Sequence, residues 1–159
     1  MTDWSVRNVR DLTWEKNGLG VYCDLLQGED DAAEEFAINL NVLARGEPMA
    51  LYHHEPHQEG FLVLSGECEL IVEGESHPIR QWDYFHCPVD VPHVIVGAGD
   101  EPALVVAVGS RVGGGGATYP PEPLAAPYGA STDDDHDARA AYAKCGAGVK
   151  VPFDEEFVS

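Results

Sequence analysis

The stretch YHHEPHQEGFLVLSG, residues 52–66, places three histidines and two glutamates directly before an apolar run. A solvated loop would account for the polar half, but not for its abrupt junction with FLVL, which has the composition of a buried β-strand. On a strand, residues two positions apart project to the same side, so His53 and Glu55 share one face and His54 lies on the other. Glu59 opens the following strand. The stretch therefore predicts two strands whose junction carries chemically active side chains.

The surrounding chain, from about residue 19 to residue 112, is a series of short segments typical of β-strands. In EFAINLNVLA, Phe36, Ile38, Leu40 and Val42 fall on one face, as the period of two requires. Amphipathic helical patterns of useful length are missing from this region, which argues against parallel βαβ winding. The regular punctuation by glycine, proline and acidic residues indicates an antiparallel barrel or sandwich. The predicted strands are LGVYCDLL, EFAINLNVLA, MALYHHE, GFLVLSG, ECELIVEG, SHPIRQ, DYFHCP, PHVIVGAG and ALVVAVGS.

The chain changes character at GGGGATYPPEPLAAPYGAS, residues 113–131. Four glycines and a cluster of prolines do not form a core strand, so we predict an extension that lies over the domain. The next segment, STDDDHDARAAYAKCG, predicts a helix over about 132–145, with Ser131 or Thr132 as its cap and aspartates in its first turn. We therefore expect a β-barrel domain over 1–112 and an extension with one short helix over 113–159.

Composition narrows the class of partner. The 159 residues suit one domain. Their net charge of −19 repels phosphate backbones and anionic lipids, so we expect neither nucleic acid nor membranes as partners. The N-terminal segment lacks the apolar run of a signal peptide, and no stretch approaches the length of a membrane span, so we expect a cytoplasmic protein. We predict that the four cysteines are free thiols: Cys23, Cys68, Cys87 and Cys145.

Residues Glu59 and Gly66 match part of a known motif, and the sequence resembles a small single-domain cupin. The first cupin motif is Gly, five residues, His-x-His, three or four residues, Glu, six residues, Gly. With three residues before Glu59, His53 takes the position of the first histidine and Glu55 that of the second. With four residues, His54 takes the position of the second histidine and Tyr52 that of the first. We favour the first register, because it keeps a histidine and a carboxylate on one strand face.

The second cupin motif is Gly, five residues, Pro-x-Gly, two residues, His, three residues, Asn. Pro88 and His93 match it, whereas Trp82, Asp90 and Gly97 replace the two glycines and the asparagine. The resemblance covers roughly residues 35–110. It implies an all-β, double-stranded β-helix barrel of the jelly-roll type, in which both motifs contribute metal ligands.

The resemblance implies one divalent metal per chain, with His53, Glu55, Glu59 and His93 as its ligands. Two alternatives stay open: Glu55 orients His53 without binding the metal, or His54 or His57 completes the site instead. Two histidines with carboxylate oxygen suit Fe(II), Mn(II), Ni(II) or Zn(II).

The cupin resemblance further implies a small organic substrate at the barrel mouth, with dioxygenase, isomerase and decarboxylase chemistry all open and no catalytic residue assigned. We expect Phe61, Val63 and Ile95 to shape the pocket and His86 to lie in the pocket or core. The alternative from another class is a non-catalytic metal-binding or sensing protein. A homodimer is also expected, because open edge strands need cover.

Overall fold

The computed structural model describes residues 4–28, 34–133 and 138–159. Its regular structure is dominated by strands, and within these ranges the only α-helix, α1, spans Ala138–Tyr142. None of the described helices combines the length and the apolar character that crossing a bilayer requires. The strands are β1 (Trp14–Asn17), β2 (Gly20–Asp24), β3 (Phe36–Leu43), β4 (Glu59–Ser65), β5 (Glu67–Val72), β6 (Glu75–Arg80), β7 (Tyr84–Cys87), β8 (His93–Gly97), β9 (Ala103–Ser110) and β10 (Val149–Val151).

The strands form two antiparallel sheets that share one core. The larger sheet has the order β10-β1-β2-β3-β9-β4-β7, and the smaller has the order β6-β5-β8. Side chains from both sheets meet in the barrel interior, where Val63, Ile95 and Val105 are fully buried. The predicted all-β, double-stranded β-helix fold is therefore confirmed.

The segment MALYHHE is not the regular strand that its sequence predicts. Pro48 and His53 each form an isolated bridge with β8, to Val96 and His93, and His54 bridges to Thr118. The segment therefore lies beside β8 as an irregular extra strand, which still turns His53 towards the barrel interior.

The two faces of β3 contact different parts of the protein. Leu40 and Val42 pack against Trp14 on the outside of the barrel. Asn39 and Asn41, which alternate with them, line the pocket inside. Polar side chains thus face inward at this end of β3, the opposite of the usual pattern of a half-buried strand.

The C-terminal extension is more closely integrated than its composition predicts. Strand β10 pairs with β1, and Phe153 and Phe157 pack on Trp14 with ring centroids 5.9 and 5.1 Å away. The helix predicted over about 132–145 is shorter in the structure: α1 covers Ala138–Tyr142, a 3-10 turn covers Ala143–Cys145, and residues 131–133 are not helical. Its aspartate-rich start at 134–137 lies outside the described residues.

Two substitutions in the second motif adopt the backbone conformation of the glycines they replace. Trp82 has φ +72° and Asp90 has φ +60°, both in the left-handed region that favours glycine. The backbone N–H of Asp90 donates to the carbonyl of Glu55 at 2.8 Å. This bond ties the turn before β8 to the histidine-rich segment.

Candidate metal centre

Three predicted ligands converge in the barrel. Glu59 is the first residue of β4, His93 is the first residue of β8, and His53 lies beside β8 through its backbone bridge to His93. Oε2 of Glu59 lies 3.3 Å from Nε2 of His93 and 4.0 Å from Nε2 of His53. One potential ligand atom from each residue lies within 4.8 Å of the others. We call His53, Glu59 and His93 the candidate triad.

Backbone carbonyls fix the tautomer of both histidines. Nδ1 of His53 lies 2.6 Å from the carbonyl oxygen of Leu51, and Nδ1 of His93 lies 3.0 Å from that of Val91. A carbonyl oxygen only accepts, so each Nδ1 carries the proton and each Nε2 keeps a free lone pair. Metal-binding histidines are typically oriented in this way.

One atom of the triad is buried without a partner. Among the described residues, Nε2 of His93 is the one buried side-chain nitrogen or oxygen that lacks a hydrogen bond. Leaving such an atom unpaired costs roughly 1–3 kcal/mol. A metal ion bonded to this nitrogen removes that penalty, so the residues present fit a divalent metal of the borderline class.

Burial favours the neutral form of each group in the triad. It raises the pKa of Glu59 to about 8, and the negative charge of Glu55 adds to this shift. Burial, with a smaller contribution from His53, lowers the pKa of His93 to about 4. The pKa of His53 is also lowered, chiefly by burial. Both imidazoles are therefore neutral at physiological pH and ready to bind a cation.

Glu55 lies at the edge of the triad. Its Oε1 is 3.7 Å from Nε2 of His53, its side chain is 32% exposed, and it does not join the group of three. His54 points away, with Nδ1 3.5 Å from Oδ1 of Asp90, and His57 is not part of the group either. Glu55 as a fourth ligand stays a prediction.

The structure contradicts the pocket or core position expected for His86. Its side chain is exposed on the outer face of β7 and lies 2.9 Å from Oε1 of Gln58. The adjacent residue, Cys87, is buried instead, with Sγ 3.2 Å from Nδ1 of His93. Strand alternation explains the difference, because Cys87 rather than His86 occupies the inward position.

A pocket of about 220 Å³ opens above the triad. Of the expected apolar residues, Phe61 lines it, whereas Val63 and Ile95 lie deeper in the core. Sequence reasoning missed four of its polar and aromatic residues. The pocket lining comprises Asn39, Asn41, Met49, Ala50, His53, Glu55, Glu59, Phe61, Ala107, Tyr119 and Tyr142.

The missed residues carried only weak sequence signals. Asn39 and Asn41 alternate with leucine and valine, a pattern that favours a solvent-facing position. Tyr119 lies in the glycine- and proline-rich part of the extension and Tyr142 ends α1, and neither position indicates a site. Their position depends on how the extension folds back over the barrel.

Comparison with known proteins agrees with this architecture. Residues 39–109 match the model of the cupin domain family. Over these residues, somewhat less than half of the chain, the sequence is that of a cupin domain. A sugar phosphate isomerase of the cupin superfamily from Silicibacter pomeroyi has a similar structure, with a TM-score of 0.59 and 23% identity. The similarity covers 68% of this chain and 76% of that one.

Two curated relatives match shorter parts of this chain. Quercetin 2,3-dioxygenase from Bacillus subtilis (strain 168) is 36% identical over 58 residues, which are 36% of this chain and 17% of the relative. Polyketide synthase CurC from Streptomyces cyaneus is 29% identical over 69 residues, or 43% of this chain and 45% of the relative. The matches thus span less than half the length of either relative.

Proposed function

We propose that this cupin is a metal-dependent enzyme that acts on a small, unphosphorylated, oxygen-bearing organic compound held above the triad. The observation that carries the proposal is the meeting of His53, Glu59 and His93 beneath the pocket, with Nε2 of His93 buried and unpaired. These three residues would hold the metal. When bound, a divalent metal supplies Lewis-acid chemistry and, in the case of iron, activation of dioxygen.

The donor set favours oxygen-dependent chemistry among the classes that the cupin barrel hosts. Two histidines and one carboxylate are the ligand set of non-haem Fe(II) oxygenases, which leave positions open for substrate and dioxygen. The match to a quercetin 2,3-dioxygenase supports this choice. We therefore propose incorporation of dioxygen into an organic substrate, with dioxygen as the co-substrate.

The charge of the pocket selects against phosphorylated substrates. Glu55 and Glu59 line the pocket, while its described lining contains no lysine or arginine. Recognition of a phosphate usually depends on such cations or on converging N–H donors. A sugar phosphate is therefore a poor fit, although a structurally similar cupin bears that name.

The chain's own residues perform three tasks in this proposal. His53 and His93 present neutral imidazole nitrogens, because their Nδ1 protons are held by backbone carbonyls. Asn39 and Asn41 offer amide donors and acceptors in the pocket lining. Phe61, Ala107 and Met49 provide the apolar surface that excludes water and packs against a substrate ring.

Metal analysis and oxygen consumption test the proposal. Protein purified without added metal should contain close to one divalent transition metal per chain, and His93→Ala should contain none. The Fe(II)-loaded protein should consume dioxygen with a flavonol or catechol and not with a sugar phosphate. Metal-free protein that also fails to bind added Fe(II) or Zn(II) would contradict the proposal. Metal binding with no turnover of any such compound would favour the non-catalytic alternative.

A further inference from the structure

Two tyrosines of the C-terminal extension, Tyr142 and Tyr119, are linked by a hydrogen bond, and both line the pocket. The backbone N–H of Leu51 donates to the hydroxyl of Tyr142 at 3.4 Å. The Tyr142 hydroxyl is also hydrogen-bonded to the side chain of Tyr119. Because the Tyr142 oxygen already accepts from Leu51, its own proton is available to Tyr119, which leaves the Tyr119 proton for another partner. Tyr119 is 5% exposed and lines the pocket above the triad.

The same tyrosines supply an aromatic wall beside the metal ligands. The ring of Tyr119 lies 5.9 Å from that of His53 and meets the ring of Tyr142 at 84°, with centroids 5.5 Å apart. Phe61 lines the same pocket, and the centroid of its ring lies 5.2 Å from that of the His93 ring. Aromatic surfaces of this kind favour a planar ring as the ligand.

The extension holds Tyr119 firmly against the ligand-bearing segment. Thr118 exchanges two backbone hydrogen bonds with His54, at 3.0 and 2.9 Å. The N–H of Tyr52 donates to the carbonyl of Ala130 at 2.7 Å. Residues on both sides of His53 are therefore bonded to the extension. Tyr119, directly after Thr118, is thus set in place before a ligand arrives.

We propose that Tyr119, supported by Tyr142, donates a hydrogen bond to a phenolic oxygen of a ligand bound above the triad. The C-terminal extension would thereby determine which ligands this cupin accepts. The inference rests on the proposed function, because the metal site is what brings the phenolic oxygen into reach of Tyr119. It adds a ligand class, phenols and catechols, and a specificity-determining residue outside the family match at 39–109.

The test uses the full chain loaded with Zn(II) and titrated with 4-nitrocatechol, whose visible spectrum changes when its oxygens bind a cation. Tyr119→Phe should raise the Kd for 4-nitrocatechol about tenfold, the loss expected for one hydrogen bond to an ionised oxygen. Tyr142→Phe should raise it about threefold, because Tyr142 acts through Tyr119. Tyr128→Phe is the matched control, since the hydroxyl of that extension tyrosine donates to Glu69 outside the pocket lining and its loss should leave the Kd unchanged.

The Kd for Zn(II), measured alone in each variant, separates the two proposals. Unchanged Zn(II) affinity with weakened 4-nitrocatechol binding in Tyr119→Phe supports the inference. Zn(II) binding with no 4-nitrocatechol binding, or with binding that Tyr119→Phe leaves intact, overturns the inference and leaves the metal site standing. Failure of the unsubstituted protein to bind Zn(II) overturns the proposed function, and the inference falls with it.

Discussion

Oε2 of Glu59 lies 3.3 Å from Nε2 of His93, so the first residues of β4 and β8 form one buried acid–imidazole pair. Each side chain is neutral at pH 7, because burial raises the pKa of Glu59 to about 8 and lowers that of His93 to about 4. An ion pair between these residues would hold Nε2 of His93 through a proton. In the neutral pair, Nε2 of His93 carries no proton, so its lone pair is available to a metal.

The first prediction is that Glu59, not a histidine, is the group whose proton competes with the metal at neutral pH. Its carboxyl group is protonated below about pH 8 and must ionise to bind, so binding at pH 7 should release about one proton per metal. The Kd for Zn(II) should therefore rise about tenfold for each unit that the pH falls from 7.5 to 6. Calorimetry in buffers of different ionisation enthalpy measures the proton release.

Glu59→Gln provides the control for this pH dependence. The amide has no proton to lose, so Zn(II) binding should be weaker and nearly independent of pH between 6 and 7.5. Proton release that persists undiminished in this variant would assign the titration to another group.

The second prediction concerns the stability of the metal-free protein. The folded-state pKa of Glu59, about 8, exceeds its ordinary value of 4.5, so its stabilising contribution is complete below pH 4.5 and is lost as the pH rises through 8. Above pH 8 the protein buries a carboxylate with no cation beside it. Glu59→Gln should then raise the free energy of unfolding by on the order of a few kcal/mol, with a smaller difference at pH 5.

Urea denaturation at pH 5 and pH 9, with and without Zn(II), checks the second prediction. At pH 9, Zn(II) should raise the free energy of unfolding of the unsubstituted protein and raise that of Glu59→Gln much less. An equal effect of the substitution at both pH values would show that ionisation of Glu59 is not the cause.

The barrel strands and the three residues of the triad could be predicted from the sequence, because both leave a signal in short stretches of the chain. Period-2 alternation placed β2 to β9 within a few residues of their observed positions. The second cupin motif, through the interval from Pro88 to His93, pointed to the triad residue at the start of β8. The strand positions and the position of His93 are indicated by residues close to them in the chain, so they could be predicted without knowing which distant residues are in contact.

The contribution of the extension was not accessible, because it arises from contacts between residues far apart in the chain. Strand β10 has only three residues and is defined by its partner β1. Tyr142 and Tyr119 reach the pocket only because the segment around Thr118 pairs with His54. The expected homodimer and the domain boundary at residue 112 stay predictions, and sedimentation analysis addresses the first of them.

The third prediction fixes the register of the histidine pair. His53→Ala should weaken Zn(II) binding by about 100-fold or more, since it removes a ligand nitrogen. His54→Ala should change the Kd by less than about threefold, because its ring faces Asp90 rather than the triad. Equilibrium competition with a chromogenic chelator measures both values. Retention of metal by His53→Ala, with loss in His54→Ala, would mean that the alternative register is the correct one.

The fourth prediction concerns how the end of the chain supports the barrel from outside. Trp14 is fully buried, and Phe157 covers it with ring centroids 5.1 Å apart. Phe157→Ala should lower the free energy of unfolding by about 2 kcal/mol, because it opens a cavity over the indole of Trp14. Val149→Ala, in the same segment but 59% exposed, should change it by less than about 0.5 kcal/mol. Urea denaturation followed by tryptophan fluorescence gives both values. Equal stability of the two variants would show that the C-terminal segment does not support the core around Trp14.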